Sequence, residues 1–98
     1  MNAAKCVVAL VLYLVACVPA FGADAIKIGA ILSVTGPASF LGEPEKNTLV
    51  MLQDQINAAG GVGGQQVEVI IYDDESDVNK CVMAAKKLLD QDGVAVVI

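Results

Sequence analysis

Residues 26–32 read IKIGAIL and form a short, almost wholly apolar run that a polar loop follows at once. Ile recurs at alternate positions, and a continuous apolar run of this length is typical of a strand buried on both faces of a parallel sheet. Residues 33–42, SVTGPASFLG, are rich in Ser, Thr, Gly and Pro and cannot continue the strand. A strand followed by a polar loop and a helix begins a βαβ unit, in which ligands lie beyond the carboxyl ends of the strands. The loop is therefore the first place to look for a binding site.

A first helix is predicted to begin near Glu43 and Pro44, because Pro suits the first helical turn and acidic residues suit its positive end. Helical spacing predicts one apolar face, and Gly60 and Gly61 predict the end of the helix. The segment 60–64, GGVGG, indicates a turn rather than a phosphate loop, since it follows a helix and precedes a strand. The predicted apolar face consists of Leu49, Leu52, Ile56 and Ala59.

The second half of the chain predicts a strand over 67–72, a helix over 78–91 and a third strand over 94–98. Ser76 or Asp77 is expected to cap the second helix, and Gly93 to end it. With right-handed crossovers, the first strand lies between the second and the third. The predicted fold class is an α/β open doubly wound parallel sheet. The side of the second helix predicted to be buried consists of Val78, Cys81, Val82, Ala85, Leu88 and Leu89.

The segment 73–77, DDESD, carries four acidic residues directly after the second strand. Carboxylates are the ligands that hard cations prefer, which leaves a cation site as one interpretation. The segment lacks the Gly and the distal Glu of a calcium loop, and acidic residues also favour a helix N-terminus. Helix capping is the interpretation that fits better.

Residues 1–22 are predicted to be a signal peptide. Lys5 provides a positive start, 6–18 is an apolar core, and small residues at Ala20 and Gly22 favour cleavage before Ala23. A competing site is LVAC at 14–17, which resembles a bacterial lipobox that would place a lipid on Cys17. The residues after Cys17 stay apolar, so a soluble periplasmic product is favoured over a lipid-anchored one.

Composition excludes several functions. The chain has six basic and eleven acidic residues, a net charge of −5, and neither Arg nor His, so nucleic acid is not an expected partner. Beyond the signal peptide only Cys81 remains, which excludes a zinc cluster and a Cys–His nucleophile within that stretch. Cys81 is expected either to pack as a small side chain or to form a disulfide with residues outside the chain. We expect no catalytic residues, no metal and no cofactor.

Several stretches together resemble one family. These are IKIGAILSVTGP, then LG, QINAAGGVGGQQVEVIIYDDESD and AAKKLLDQDGVAVVI. In this order and spacing the chain resembles the N-terminal part of type I periplasmic binding proteins, and most closely their leucine/isoleucine/valine-binding branch. Residues 23–98 would then form the first, incomplete part of lobe one.

The resemblance implies a two-lobed protein that closes on an amino acid without chemistry and delivers it to an ABC transporter permease. Such proteins are monomers when complete. It also implies that Leu41, beside Phe40, lines the pocket near the ligand side chain, while the groups that hold the charged ends of the ligand lie beyond Ile98. The alternative is that Phe40 or Leu41 merely packs the loop onto the first helix.

The chain departs from the family pattern at two positions. Val78 stands where Pro is common, and Ser76 stands where some members have Cys. The second departure leaves Cys81 without an obvious disulfide partner.

Two other functions compete with this interpretation. A sensory receptor ectodomain of the same fold is the main alternative. A phosphoacceptor response regulator is disfavoured because its acidic pair would follow the first strand and it would carry no export signal.

Overall fold

Three parallel strands form the sheet in the computed structural model, which describes residues 24–98. They are β1, Ile26–Leu32, β2, Val67–Asp73, and β3, Val96–Val97. Their order is β2-β1-β3, with both pairs parallel, so the predicted central position of the first strand is confirmed. The predicted signal peptide and the competing lipid site at Cys17 lie outside the described residues.

Two helices connect these strands. Helix α1 is Ser39–Ala58, and helix α2 is Val78–Lys87, which continues into a π-helical segment, Leu88–Asp92. The two crossovers run in opposite directions across the sheet, and right-handed connections then place their helices on opposite faces. Both helices contact β1 and β2. The layered arrangement is that of an open doubly wound α/β sheet.

Apolar residues are buried on both faces of β1, because Gly29 faces the second helix and the alternation of a strand turns Ala30 and Leu32 to the opposite face. Leu88 is fully buried, and a Cβ added at Gly29 would lie 2.9 Å from the Leu88 side chain, so Gly at this position lets the helix approach the strand. Within residues 24–98, the buried apolar residues are Ala30, Leu32, Val67 and Leu88.

The predicted start of the first helix is wrong. The helix begins at Ser39, and Pro44 is its sixth residue rather than part of its first turn, so Glu43 and Glu45 also lie beyond that turn. The first turn forms on Ala38, whose carbonyl accepts hydrogen bonds from the N–H groups of Leu41, at 3.0 Å, and Gly42, at 3.3 Å. The predicted end near Gly60 agrees with the structure within two residues.

The predicted apolar face of α1 is also wrong in part. Leu49 is half-buried, but Leu52, Ile56 and Ala59 are exposed. Polar Gln53 and Asn57 take the inward positions instead, because their amides bind the backbone of β2. The Val67 N–H donates to the Asn57 side chain at 2.7 Å, and the Val69 N–H donates to the Gln53 side chain at 2.7 Å.

The buried face of the second helix overlaps the predicted face but is shifted to one side of it. Cys81, Ala84 and Ala85 are half-buried and Leu88 is fully buried, which is the spacing of a single helical face. The predicted members at the edge of that face are exposed. Strand β3 is also shorter than the predicted 94–98. The exposed members are Val78, Val82 and Leu89.

The turn at 60–64 is confirmed as turn structure. The N–H of Val62 donates to the carbonyl of Gln65 at 2.7 Å, and the N–H of Gln65 donates back at 3.0 Å. Within residues 24–98, neither helix combines the length and apolar character that crossing a membrane requires.

Candidate functional site

The carboxyl ends of β1 and β2 lie side by side. Leu32, the last residue of β1, is opposite Asp73, the last residue of β2. The loop that follows β1 and the loop that follows β2 therefore leave the sheet at the same edge, and hydrogen bonds join them. This edge is where open α/β sheets bind ligands.

Asp73 is the centre of the joined loops. Its carboxylate accepts hydrogen bonds from the N–H groups of Val34, at 3.0 Å, Thr35, at 3.2 Å, and Glu75, at 2.9 Å. The Thr35 hydroxyl donates to the other carboxylate oxygen at 2.6 Å. The hydroxyl of Thr35 is the main cause that holds the pKa of Asp73 below the ordinary 3.8. Desolvation of the carboxylate opposes it, and the N–H donors lower the pKa further.

Asp74 and Asp77 organise the rest of the second loop. The Asp74 carboxylate accepts from the Ser33 hydroxyl at 2.7 Å and from the Ser76 N–H at 2.9 Å. Asp77 caps α2 by accepting from the Lys80 N–H at 2.9 Å, which confirms one of the two predicted capping residues. The acidic segment thus serves as a loop scaffold and helix cap. Among residues 24–98, no group of three or more Cys, Asp and Glu side chains is arranged to hold a metal ion.

Gly36 lies where the two loops touch. Its φ is +85°, and a Cβ at this position would lie 2.6 Å from the Glu75 carbonyl oxygen and 2.8 Å from the Ser76 hydroxyl oxygen. No larger residue fits this contact without moving the backbone of the second loop. Glu75 and Ser76 themselves have φ values of +52° and +60°, and Glu75 forms an ion pair with Lys80 that raises the Lys80 pKa.

Phe40 and Leu41 lie in the first turn of α1 rather than in the preceding loop. These residues are 72% and 54% exposed, and they follow directly on the loop that leaves the carboxyl end of β1. An open depression of about 320 Å³ lies at the same edge and is lined by residues of both loops together with Cys81. Contact of Phe40 and Leu41 with a ligand stays a prediction.

Sequence analysis missed Asp73, Thr35 and Ser76 as the residues that join the loops. A signal was present, because polar side chains directly after two neighbouring parallel strands must meet at one edge of the sheet. The hydrogen-bond pairing itself depends on loop conformations that hydrophobic patterning does not report. Cys81 is a free thiol within the described part of the chain, half-buried against this edge.

Comparison with known proteins identifies the family of the chain. The family model for periplasmic binding proteins matches residues 25–98. The chain therefore belongs to the periplasmic binding protein family, whose members are solute-binding proteins, and its type I relatives lie in the leucine/isoleucine/valine-binding branch.

One relative is the leucine-, isoleucine-, valine-, threonine- and alanine-binding protein of Pseudomonas aeruginosa. It is 43% identical over 76 residues, which are 78% of this chain and 20% of the relative. The chain thus spans about a fifth of the length of the curated relatives that it matches.

Solved structures are similar too, among them the following two. The first is the branched-chain amino acid transporter substrate binding protein of Streptococcus pneumoniae in complex with isoleucine, with a TM-score of 0.72 and 33% identity over 74% of this chain and 21% of that one. The second is an extracellular ligand-binding receptor of Rhodopseudomonas palustris, with a TM-score of 0.57 and 37% identity over 74% of this chain and 19% of that one.

Proposed function

We propose that this chain forms the N-terminal part of lobe one of an exported solute-binding protein. The complete protein, meaning this chain together with the remainder of the fold that its relatives contain, binds an amino acid, with branched-chain side chains preferred. It delivers that ligand to the membrane permease of an ABC transporter and performs no chemistry on it. Residues 1–22 direct export to the periplasm, and 23–98 contribute the first three strands of the lobe.

The observation that carries this proposal is the exposed apolar pair next to the two hydrogen-bonded loops. Phe40 and Leu41 follow β1 at its carboxyl end, where ligands of this architecture bind. Large apolar side chains at 72% and 54% exposure offer surface that an aliphatic ligand can cover, and the joined loops fix the turn that carries them. The packing alternative requires these side chains to be covered by the first helix, which their exposure does not favour.

The relatives support the ligand class. The Pseudomonas aeruginosa relative is named for five amino acids, four of them aliphatic or small apolar ones, and the Streptococcus pneumoniae structure holds isoleucine. The groups that hold the ligand's charged ends belong to the rest of the complete protein in this proposal. Within this chain the exposed apolar pair is expected to select for the ligand side chain.

Leu41→Ala in the complete protein tests the proposal. Loss of an apolar contact should weaken leucine binding by about 5- to 150-fold, corresponding to about 1–3 kcal/mol, and leave the melting temperature of the ligand-free protein nearly unchanged. Leu89→Ala is the matched control, because Leu89 is an exposed leucine, at 60%, in the π-helical segment and outside α1 and the joined loops. Leucine affinity is measured by calorimetric titration and stability by a thermal melt.

The two variants differ in leucine affinity if the proposal is right. Leu89→Ala should bind leucine as tightly as the unsubstituted protein. If Leu41→Ala instead keeps its leucine affinity and lowers the melting temperature of the ligand-free protein, Leu41 is a packing residue and the proposed pocket wall is wrong.

A sensory receptor ectodomain is the second candidate function, and the similarity to the Rhodopseudomonas palustris extracellular ligand-binding receptor favours it. Both functions use the same ligand-binding edge. They differ in the partner, so co-purification of the complete protein with a transporter permease from membranes supports transport, whereas association with a signalling protein supports sensing.

A further inference from the structure

The hydroxyl of Ser76 joins the second loop to the start of α1. It donates a hydrogen bond to the Thr35 carbonyl at 3.0 Å and accepts one from the Ala38 N–H at 3.1 Å. Both partners belong to the loop after β1, and Ser76 belongs to the loop after β2. One side chain therefore binds the neighbouring loop at two points that are three residues apart.

Ala38 is the residue on which α1 begins. It has no polar side chain with which to cap the helix, and its own N–H is held by Ser76. Phe40 and Leu41 follow two and three residues later, in the first helical turn. The position of these two side chains relative to the sheet therefore depends on where Ser76 holds Ala38.

Ser76 is itself fixed in an uncommon conformation. Its φ of +60° is unusual for a residue with a side chain. Hydrogen bonds of its own N–H and of the preceding N–H support this conformation, because Asp74 accepts from the Ser76 N–H at 2.9 Å and Asp73 accepts from the Glu75 N–H at 2.9 Å. Backbone strain that the surroundings maintain in this way is characteristic of functional positions.

We propose that Ser76 is a positioning residue for ligand side-chain selectivity. It does not contact the ligand in this proposal, but sets the place of the first turn of α1 and hence of Phe40 and Leu41. The inference rests on the proposed function, since it needs a ligand that reaches those two residues. A ligand with a long side chain should then depend on Ser76 more than a ligand with a short one.

Two substitutions in the complete protein separate positioning from stability. Ser76→Gly removes the hydroxyl and relieves the positive φ, so the variant should fold well. Its leucine affinity should fall about tenfold, the loss expected for one or two hydrogen bonds. Its alanine affinity should change less than about twofold. Ser76→Thr keeps the hydroxyl but places a β-branched residue at positive φ, so it should lower the melting temperature and keep the leucine-to-alanine affinity ratio. Glu75→Gly is the matched control, because it relieves the adjacent positive φ and leaves the hydroxyl in place.

Calorimetric titrations with leucine and with alanine, together with thermal melts, decide the result. The positioning role is supported if Ser76→Gly changes the leucine-to-alanine affinity ratio while Ser76→Thr and Glu75→Gly keep the ratio of the unsubstituted protein. An unchanged ratio in Ser76→Gly overturns it, whatever happens to the melting temperature. If the unsubstituted protein binds neither amino acid, the proposed function itself is wrong and this inference falls with it.

Discussion

At the scale of single residues, Asp73 holds the loops at the carboxyl edge of the sheet through four hydrogen bonds. These donors lower the pKa of its carboxyl in the folded protein below the ordinary 3.8, chiefly through the Thr35 hydroxyl. A carboxyl whose pKa is lowered by folding stabilises the protein in its ionised form. That contribution is complete above about pH 4 and is lost as the pH falls through the lowered pKa.

The acid side of the stability curve therefore reports on Asp73. Asp73→Asn should lower the free energy of unfolding at neutral pH and flatten its dependence on pH below about pH 4, because the substituted side chain no longer titrates. The measurement is urea unfolding at a series of pH values. An unchanged acid slope in Asp73→Asn would contradict the role given to the carboxylate.

Thr35→Val identifies the cause of the lowered pKa. Without the hydroxyl donor, the Asp73 pKa should rise towards its ordinary value in a carbon-detected NMR titration of the carboxyl group. Thr48→Val is the matched control, since its hydroxyl donates to the Pro44 carbonyl at 2.9 Å within α1, away from Asp73.

At the scale of elements, α1 protects the outer edge of β2. The Asn57 side chain accepts from the Val67 N–H at 2.7 Å and donates to the Val67 carbonyl at 2.8 Å, while Gln53 accepts from the Val69 N–H. These backbone groups point away from β1, so they would otherwise be open to water or to another strand. Edge strands left in that state are sites of unwanted association.

Asn57→Leu tests this protection. The substitution keeps the size of the side chain but leaves the backbone N–H and carbonyl of the buried Val67 without their partners. This should cost about 1–3 kcal/mol in the free energy of unfolding and increase concentration-dependent association. Gln55→Leu adds a similar apolar side chain to an exposed position of the same helix and should change stability by less than about 0.5 kcal/mol. Denaturant unfolding and sedimentation velocity measure the two effects. Equal behaviour of the two variants would show that the amide contacts do not protect the strand.

The elements also show what the sequence can and cannot predict. The apolar run of β1, the turn at 60–64 and the central place of β1 follow from periodicity and connection rules that act locally. The inward face of α1 does not, because Gln53 and Asn57 point inward to satisfy a strand edge, and hydrophobic periodicity treats an amide as an outward residue. The predicted start of α1 is wrong for a similar reason. Its first turn begins at Ala38, whose N–H binds Ser76, a residue 38 positions away in the sequence.

The site was predictable to a similar extent. The carboxyl edge of the sheet follows from strand order, and the resemblance to a known family points to Phe40 and Leu41. The joining of the loops through Asp73 and Ser76 depends on positive φ values at Glu75 and Ser76, conformations that neither residue type indicates.

At the scale of the whole molecule, the proposed function makes this chain one edge of a binding cleft. It spans about a fifth of the length of its curated relatives, and large apolar side chains on both helices are exposed within the described residues. Affinity for a small ligand needs an enclosed cleft with a few convergent polar groups. The proposed function therefore divides recognition, with the ligand side chain read by this part of the protein and the charged ends held by the remainder.

A crystal structure of the complete protein bound to leucine tests the central claim most directly. The ligand should lie beyond the carboxyl ends of β1 and β2, with its side-chain carbons within about 4.5 Å of Leu41 or Phe40. The hydrogen bonds of Ser76 to Thr35 and Ala38 should be intact in that complex. A leucine bound elsewhere, with neither Phe40 nor Leu41 in contact with its side chain, would contradict the site proposed for this chain.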